Sequence, residues 1–212
     1  MNKAVVDRNR KLSESVVNSM KQRHFDAYYC ESSEEAVALA LSLMPKGTSV
    51  GWGGSASIAE VGLIDALYAS GEYEILDRSK VSQEEREEFA KRVAFCDTFL
   101  ASANAITEDG QLVNIDGNGG RVSAMIYGPK SVIVIAGVNK IVKTHEDAVS
   151  RAHNTAAPIN AQRFDINTPC KGSGKCADCK SPDSICATIV THRLSKPAGR
   201  IKVIIVGTNL GF

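Results

Sequence analysis

The sequence predicts an α/β fold in which helices cover both faces of a mostly parallel central sheet. Apolar, strand-like segments alternate with amphipathic, helix-like segments through most of the chain, as they do in folds built from β-α-β units. The segment 131–137 (SVIVIAG) is apolar throughout its centre, which is typical of a parallel strand buried on both faces. In such a fold, ligands bind at the carboxyl ends of the strands.

Helices are predicted where apolar residues recur every three or four positions. Three of these segments open with a capping-box pattern, in which a serine precedes an acidic residue by three positions; the serines are Ser32, Ser57 and Ser82. The predicted helices span residues 2–23, 34–44, 57–68, 82–94 and 144–156.

Strands are predicted where short apolar or aromatic runs lie between turn-forming residues. They span residues 25–30, 48–52, 72–76, 98–103, 131–137 and 200–207. An antiparallel hairpin is predicted over residues 105–115, because Glu108-Asp109-Gly110 favours a tight turn.

Length, charge and hydropathy limit the class of protein. The 212 residues suffice for one domain, 1–212, with an N-terminal helical segment at 1–44 and a cysteine-rich module at 168–187 inside it. The net charge of +1 gives no reason to expect nucleic acid or an anionic membrane as a partner. The sequence has no long apolar run and no signal-peptide core near its start, so we expect a cytoplasmic protein. A homo-oligomer is compatible with these properties.

A glycine turn, Gly51-Trp52-Gly53-Gly54-Ser55, lies between a predicted strand and a predicted helix. Backbone amides at such a turn and at the following helix start can bind phosphate or carboxylate. The alternative is a tight turn before a well-capped helix. Glu60, in that helix, is a candidate general base, or else the capping partner of Ser57.

A second polar cluster surrounds the predicted hairpin. Its members alternate with glycines, so the alternative to a binding site is a pair of tight turns. Arg121 could hold a carboxylate or phosphate with two hydrogen bonds, and Glu108 is a second candidate carboxylate for catalysis. Asn139 and Lys140 follow the 131–137 strand, where a lysine is either an anion ligand or a solvated loop charge. The cluster comprises Asn104, Thr107, Glu108, Asp109, Asn114, Asp116, Asn118 and Arg121.

Four of the six cysteines are close together in the sequence and predict a metal site. Cys170, Cys176, Cys179 and Cys186 have the spacing C-x5-C-x2-C-x6-C, and four thiolates so close in sequence can converge on one ion or cluster. Zinc and an iron–sulfur cluster both accept four thiolates. Cys30 and Cys96 are isolated in sequence and are predicted to be small buried hydrophobic residues.

The sequence resembles the lactate-utilisation (LUD) family. The resemblance rests on GWGGSASIAEVGL at 51–63, on SANAITEDGQLVNIDGNGGRVSAMIYGPKSVIVIAGVNKIV at 102–142, and on PCKGSGKCADCKSPDSIC at 169–186. The long middle motif is highly specific, and the cysteine-bearing tail is similar to that of the short branch of the family. The match covers most of the chain from about residue 45 onward.

The resemblance implies a three-layer α/β sandwich of the ribose-5-phosphate isomerase and CoA-transferase-like superfamily. It also implies a link to iron–sulfur-assisted oxidation of L-lactate, which favours an iron–sulfur cluster over zinc at the four cysteines. Lactate-oxidation or iron–sulfur proteins are then candidate partners. The family motif falls here on Gly53, Gly54, Ser55, Glu60, Asn104, Glu108, Asp109, Gly110, Asp116, Arg121, Asn139 and Lys140.

Three functions remain open from the sequence. The first is a redox-associated component that binds a small hydroxy- or keto-acid and holds a metal or iron–sulfur cluster. The second is a non-redox enzyme of the isomerase or CoA-transferase type with Glu60 or Glu108 as its carboxylate and a structural zinc. The third is a metabolite-binding or assembly subunit without catalysis. No nicotinamide or flavin fingerprint occurs in the sequence.

Overall fold

The computed structural model describes residues 2–82 and 84–212. The α-helices are α1 (Lys3–Gln22), α2 (Ser33–Ser42), α3 (Ala56–Glu60), α4 (Leu63–Ser70), α5 (Arg86–Ala94), α6 (Gly120–Ile126), α7 (His145–Arg151), α8 (Ala157–Ala161) and α9 (Pro169–Ser173). The strands are β1 (Asp26–Cys30), β2 (Ser49–Trp52), β3 (Glu74–Leu76), β4 (Thr98–Ala101), β5 (Ala105–Thr107), β6 (Leu112–Asp116), β7 (Ser131–Gly137), β8 (Ile141–Val142), β9 (Thr188–His192) and β10 (Ile201–Val206).

The central sheet has six strands in the order β1-β10-β7-β4-β2-β3. Every neighbouring pair in it is parallel. The predicted α/β class with a mostly parallel central sheet is therefore confirmed. Strand β7 lies between β10 and β4, and its residues 132–137 are buried, as its continuous apolar sequence predicts.

Helices cover the sheet on both sides, because alternate residues of each strand face opposite layers. Val132 and Val134 belong to a core formed with α1, α5 and α6. Ile133 and Ile135 belong to the other core, formed with α2, α3 and α4. The result is the predicted three-layer sandwich.

A second sheet of four strands, in the order β8-β5-β6-β9, contains the predicted hairpin. Strands β5 and β6 pair antiparallel, β9 adds antiparallel to β6, and β8 adds parallel to β5. Helix α7 packs on this sheet through Ala148, which contacts Ala105 and Val113 in a small core. The strands β8 and β9 are not among the six strands predicted above.

The helix boundaries differ from the prediction in four places. The helix predicted over 82–94 begins at Arg86, and its N-cap is Glu85 and not Ser82, so the capping box predicted for Ser82 is wrong. The segment 57–68 is two helices, α3 and α4, because Gly62 adopts a φ of 87° between them, a conformation that favours glycine. Helix α6 occupies a glycine-rich segment for which turns were expected. The helix predicted to end at Ala156 continues through a π-helical turn, Ala152–Ala156, into α8.

Cys30 and Cys96 are buried among apolar residues, as predicted. In the described part of the chain, no helix combines the length and the apolar character needed to cross a membrane.

Candidate functional site

The carboxyl ends of four neighbouring strands, β2, β4, β7 and β10, bring together residues that are far apart in sequence. Ser57 lies in α3, shortly after β2, and Ser102 directly follows β4. Lys140 ends a short 3-10 turn directly after β7, and the segment 207–212 follows β10. We call this region the carboxyl edge.

Lys140, Ser57 and Ser102 form a buried triangle at this edge, which we call the lysine cluster. The Nζ atom of Lys140 donates to Ser57 Oγ at 2.8 Å and to Ser102 Oγ at 3.1 Å. The two hydroxyls are 3.2 Å apart. The exposed fractions are 1% for Ser57, 6% for Ser102 and 3% for Lys140.

The surroundings of Lys140 disfavour its charged form. Burial is the largest cause, followed by the guanidinium groups of Arg151 and Arg121, and these lower the pKa of Lys140 to about 7 although Glu60 acts in the opposite direction. Arg151 donates to the backbone carbonyls of Asn139 and Asn104, and no ion pair to it occurs among the described residues. A strongly perturbed lysine in a cluster of polar groups is a candidate functional residue.

The predicted capping box of Ser57 and Glu60 is wrong. The N-cap of α3 is Ser55, and Ser57 lies inside the helix, where its hydroxyl contacts Lys140 instead of a backbone amide. The Glu60 carboxylate accepts a hydrogen bond from Gly211 N at 2.5 Å. Both side chains therefore contact groups from distant parts of the chain, because β7 and β10 end beside α3.

Arg121 is directed into the protein. Its Nη1 donates to Asn114 Oδ1 at 2.6 Å and to Ser102 O at 3.2 Å, and its Nη2 donates to Ile115 O at 2.6 Å and to Asn104 Oδ1 at 3.3 Å. Its Nε lies 3.6 Å from Asp116 Oδ2. In this structure its donors bind the protein's own acceptors, so Arg121 joins the ends of β4 and β6 and does not point outward as an anion clamp.

The segment 207–212 covers the lysine cluster. Asn139 holds this segment through both ends of its amide: Oδ1 accepts from Leu210 N at 3.1 Å and Nδ2 donates to Gly211 O at 3.3 Å. A Cβ atom added to Gly211 would lie 2.5 Å from Ser57 Oγ and 3.4 Å from Lys140 Nζ. The predicted residues Asn139 and Lys140 thus lie together, beneath a segment that the sequence did not indicate.

The glycine turn borders the same edge. Gly54 O accepts a hydrogen bond from Arg163 Nη1 at 2.9 Å. Gly53 lies beside Arg121, because a Cβ atom added to Gly53 would be 3.8 Å from the Cβ of Arg121. The hydroxyl of Ser55 is buried and has no hydrogen-bond partner. A buried hydroxyl without a partner is unusual in a folded protein, so the turn offers a free polar group.

Two of the predicted site residues lie elsewhere. Glu108 and Asp109 occupy the hairpin turn between β5 and β6, and both are exposed. Asp109 pairs with Arg23 at the end of α1. Asn104 and Asp116 lie at the opposite end of the hairpin, where Asp116 accepts from Gly119 N at 2.8 Å. The structure therefore separates the two exposed carboxylates from the carboxyl edge.

The four clustered cysteines line one small cavity. Its volume is about 50 Å³, and His153 and Asp178 also line it. Burial and the neighbouring thiols of Cys170, Cys176 and Cys179 raise the pKa of Cys186 to about 11. As arranged, no group of three or more His, Cys, Asp or Glu side chains in residues 2–82 and 84–212 is close enough to hold a metal ion. The donor set fits a metal centre in its chemistry, and the sulfur atoms would have to move closer together to bind one.

A larger, open cavity of about 580 Å³ adjoins the first one. Cys176 and His153 line both cavities, and the Sγ of Cys176 lies 3.9 Å from Nδ1 of His153. His153 projects from the π-helical turn between α7 and α8; such turns often occur at functional sites. Arg151, two residues earlier, donates a hydrogen bond to the backbone carbonyl of Asn139, which is next to Lys140 in the chain.

Two consecutive residues, Gln162 and Arg163, link the cysteine module to the carboxyl edge. Gln162 Nε2 donates to Cys170 O at 3.2 Å, while the next residue, Arg163, binds the glycine turn. A Cβ atom added to Gly117 would lie 3.2 Å from Ile185 Cα. The module is therefore joined to the edge through Gln162 and Arg163, and it packs against Gly117, which follows β6.

Sequence reasoning missed Ser102, Arg151 and His153, and it assigned Ser57 only a capping role. The predicted strand 98–103 includes Ser102, whereas β4 ends at Ala101, so a predicted strand that ended two residues earlier would have placed this serine at the edge. Arg151 and His153 lie on the helical segment that packs on the second sheet. Which face of this segment points toward the site depends on that packing, and the sequence alone does not specify it.

Together these features define an α/β domain with a polar cluster at the carboxyl edge of a parallel sheet and a cysteine module beside it. The family model of the LUD domain matches residues 13–206, and the chain therefore belongs to the LUD-domain family. The fold is similar to the crystal structure of a DUF162 family protein from Deinococcus radiodurans, with a TM-score of 0.53 and 15% sequence identity over 93% of this chain and 98% of that chain. No curated protein matches the sequence.

Proposed function

We propose that this LUD-domain protein is a redox-associated component in the utilisation of L-lactate or a related hydroxy-acid. In this proposal the four clustered cysteines hold an iron–sulfur centre, and a small anionic metabolite binds at the carboxyl edge. The observation on which the proposal depends is the convergence of Cys170, Cys176, Cys179 and Cys186 on one cavity beside that edge.

The shape of the cysteine module favours a redox centre over a structural zinc ion. Structural zinc sites are usually closed and commonly built from two Cys-x-x-Cys turns. Here there is one such turn, Cys176 to Cys179, and three of the four cysteines are half-buried. Cys176 also lines the larger cavity, which would leave one side of the centre accessible to a partner. An iron–sulfur cluster accepts four thiolates at uneven spacing and supplies one-electron transfer when bound.

The charge distribution at the carboxyl edge favours an anion as its ligand. Arg121 has the carboxylate of Asp116 nearby, whereas Arg151 binds only backbone carbonyls among the hydrogen bonds found. An uncompensated guanidinium attracts negative charge, and it does so more strongly where water is partly excluded. The unpartnered Ser55 hydroxyl and the backbone amides of the glycine turn are neutral donors in the same region, at the end of β2.

Metal analysis of anaerobically purified protein tests the redox part of the proposal. We expect iron and acid-labile sulfide in stoichiometric amounts and the visible absorption of an iron–sulfur cluster. Cys176→Ser should remove the iron and the colour, whereas Cys30→Ala, which changes a buried cysteine outside the module, should retain both. A colourless protein with full zinc occupancy would replace the redox role with that of a non-redox enzyme with structural zinc.

Ligand binding tests the metabolite part separately. L-lactate and pyruvate should each raise the melting temperature of the protein, because a ligand that binds only the folded state stabilises it. Lys140→Met should weaken this stabilisation. Lys143→Met is the control, because Lys143 is exposed and lies three residues away, and this variant should be stabilised as strongly as the unaltered protein. Equal stabilisation of both variants would place the anion elsewhere.

A further inference from the structure

The lysine cluster contains a chemical group that hydroxy-acid binding alone does not require. The Lys140 side chain is 3% exposed, and the hydrogen bonds found for its Nζ go to two neutral hydroxyls, Ser57 and Ser102. A buried ammonium normally has a carboxylate partner, since its burial is otherwise costly. The cluster therefore favours a neutral amine, which has a free electron pair and is a nucleophile.

The neighbouring charges act in the same direction. Arg151 and Arg121 both disfavour a proton on Lys140, and Glu60, which favours one, has the smallest influence of the groups named. Desolvation together with nearby cations is the environment that activates lysines for covalent bonding to carbonyl compounds. The same cations favour a negatively charged substituent on the carbonyl compound.

We propose that Lys140 forms an imine with a small anionic ketone or aldehyde, of which a 2-oxo acid is the simplest example. The acid group of this ligand rests on the proposed function, whereas the covalent bond rests on the burial of Lys140 and on the neutral hydroxyls that are its hydrogen-bond partners. The proposal adds to that function a covalent mode of binding and a substrate class.

The reaction needs no oxidant. The Nζ electron pair of Lys140 adds to the carbonyl carbon, and one Nζ proton passes to the carbonyl oxygen to give a carbinolamine. The hydroxyl group then leaves with a second proton from nitrogen as water, and a carbon–nitrogen double bond remains. Ser57 and Ser102 lie 2.8 and 3.1 Å from Nζ, where their hydroxyls can relay both protons.

Access to Lys140 requires the segment 207–212 to move. Leu210 and Gly211 lie over the cluster and are held by Asn139 and Glu60. These contacts are hydrogen bonds at the end of the sheet, not part of its strand pairing. A ligand that enters here displaces Gly211 and gains the Glu60 and Asn139 side chains as neighbours.

Reductive trapping tests the imine. The full-length protein is incubated with pyruvate and sodium cyanoborohydride, and the adduct is located by intact mass and peptide mapping. We expect one adduct per chain on Lys140, in at least about tenfold excess over Lys143, because only about one in a thousand ordinary exposed lysines is neutral near pH 7.4. Acetone, which has no acid group, should label Lys140 less than pyruvate does.

Two variants complete the test. Lys140→Met should abolish the adduct, and Lys143→Met should leave it unchanged. Peptide mapping of the unaltered protein needs no variant, so a folding defect in Lys140→Met does not weaken the result. An adduct spread over surface lysines, or none at Lys140, overturns the inference.

The outcome is separable from that of the proposed function. L-lactate has no carbonyl carbon that can form an imine, so stabilisation by L-lactate without a pyruvate adduct would retain the anion site and reject the imine. An adduct on Lys140 in a protein without iron would retain the imine and reject the redox role.

Discussion

The lysine cluster and the cysteine module are neighbouring regions that are built in opposite ways. Lys140, Ser57 and Ser102 are separated by 38 to 83 residues in sequence, and parallel strand ends bring them within hydrogen-bond distance. The cysteine module consists of the single segment 168–187. This segment is rich in turns, and three of its four cysteines are half-buried. One region is positioned by the sheet, and the other by a local segment of chain.

This difference has a consequence for how each region gains its final geometry. The lysine cluster already has short hydrogen bonds without any ligand, because β4 and β7 fix its members. The four sulfur atoms share a cavity but do not reach metal-binding distances. The fold therefore organises the lysine cluster, whereas the ion or cluster proposed to bind the module would have to organise it, as in small metal-dependent segments.

The largest expected effect concerns the charge on Lys140. Its folded-state pKa of about 7 lies below the ordinary unfolded value of about 10.4. Between these values the unfolded chain binds more protons, so stability should rise with pH from about 7 to about 10, by about 4 kcal/mol in total from this group. Arg121, Arg151 and Glu60 are the charged groups that face Lys140. Urea unfolding at several pH values, compared with Lys140→Met, measures the effect.

The comparison with Lys140→Met is needed because other groups titrate in the same range. Burial raises the pKa of Cys96 to about 11, and its later ionisation lowers stability as pH rises. That contribution is common to both proteins and cancels in their difference. The free energy of unfolding of the unaltered protein should rise relative to that of Lys140→Met as the pH rises, whereas Lys143→Met should follow the unaltered protein. A constant difference would mean that Lys140 is not held neutral by the fold.

The second effect tests whether Arg121 supports the edge. Arg121→Met removes donors to Asn114, Ile115, Asn104 and Ser102 and leaves buried acceptors without partners. We expect a loss of about 3 kcal/mol in the free energy of unfolding, measured in urea. Arg86→Met is the control, because Arg86 is exposed and lies on α5, away from the carboxyl edge; its loss should stay below about 0.5 kcal/mol. Equal losses would show that Arg121 has no supporting role.

The central sheet and the family could be predicted from the sequence because their signals are local. The SVIVIAG segment indicated a central parallel strand, and β7 occupies that position between β10 and β4. The long motif at 102–142 indicated the LUD family, which the match over residues 13–206 confirms. Strand periodicity and motif content depend only on neighbouring residues.

The lysine cluster could not be predicted in the same way. Lys140 was singled out, but its partners depend on the order in which the strands lie in the sheet, and no local pattern specifies that order. Ser57 matched a capping box with Glu60, a local interpretation that the neighbouring ends of β7 and β10 override. Glu108 was grouped with Asn104 by proximity in sequence, although a hairpin places them at opposite ends.

The third effect concerns the module alone. Removal of metal by a chelator should increase backbone amide exchange in residues 168–187 by about 100-fold, which corresponds to about 2.7 kcal/mol of lost local stability. The strands β4, β7 and β10 should keep their protection, because no metal contacts them in the proposed arrangement. Hydrogen exchange with mass spectrometry before and after chelation measures both. Unchanged exchange in the module would mean that the fold, and not a metal, organises it.

The smallest effect concerns the segment that covers the lysine cluster. Gly211 has a φ of 56°, and an added Cβ would lie 2.5 Å from Ser57 Oγ. Gly199 has a φ of 72° with no atom within 4 Å of an added Cβ, so Gly199→Ala reports the cost of the backbone conformation alone. Both variants should lose about 1 kcal/mol of stability from this conformation. Only Gly211→Ala should also displace its segment, with faster exchange at Leu210 and Gly211 and faster trapping of pyruvate on Lys140. Similar trapping rates in the two variants would mean that this segment does not control access, and that the lysine is reached from the side of the glycine turn.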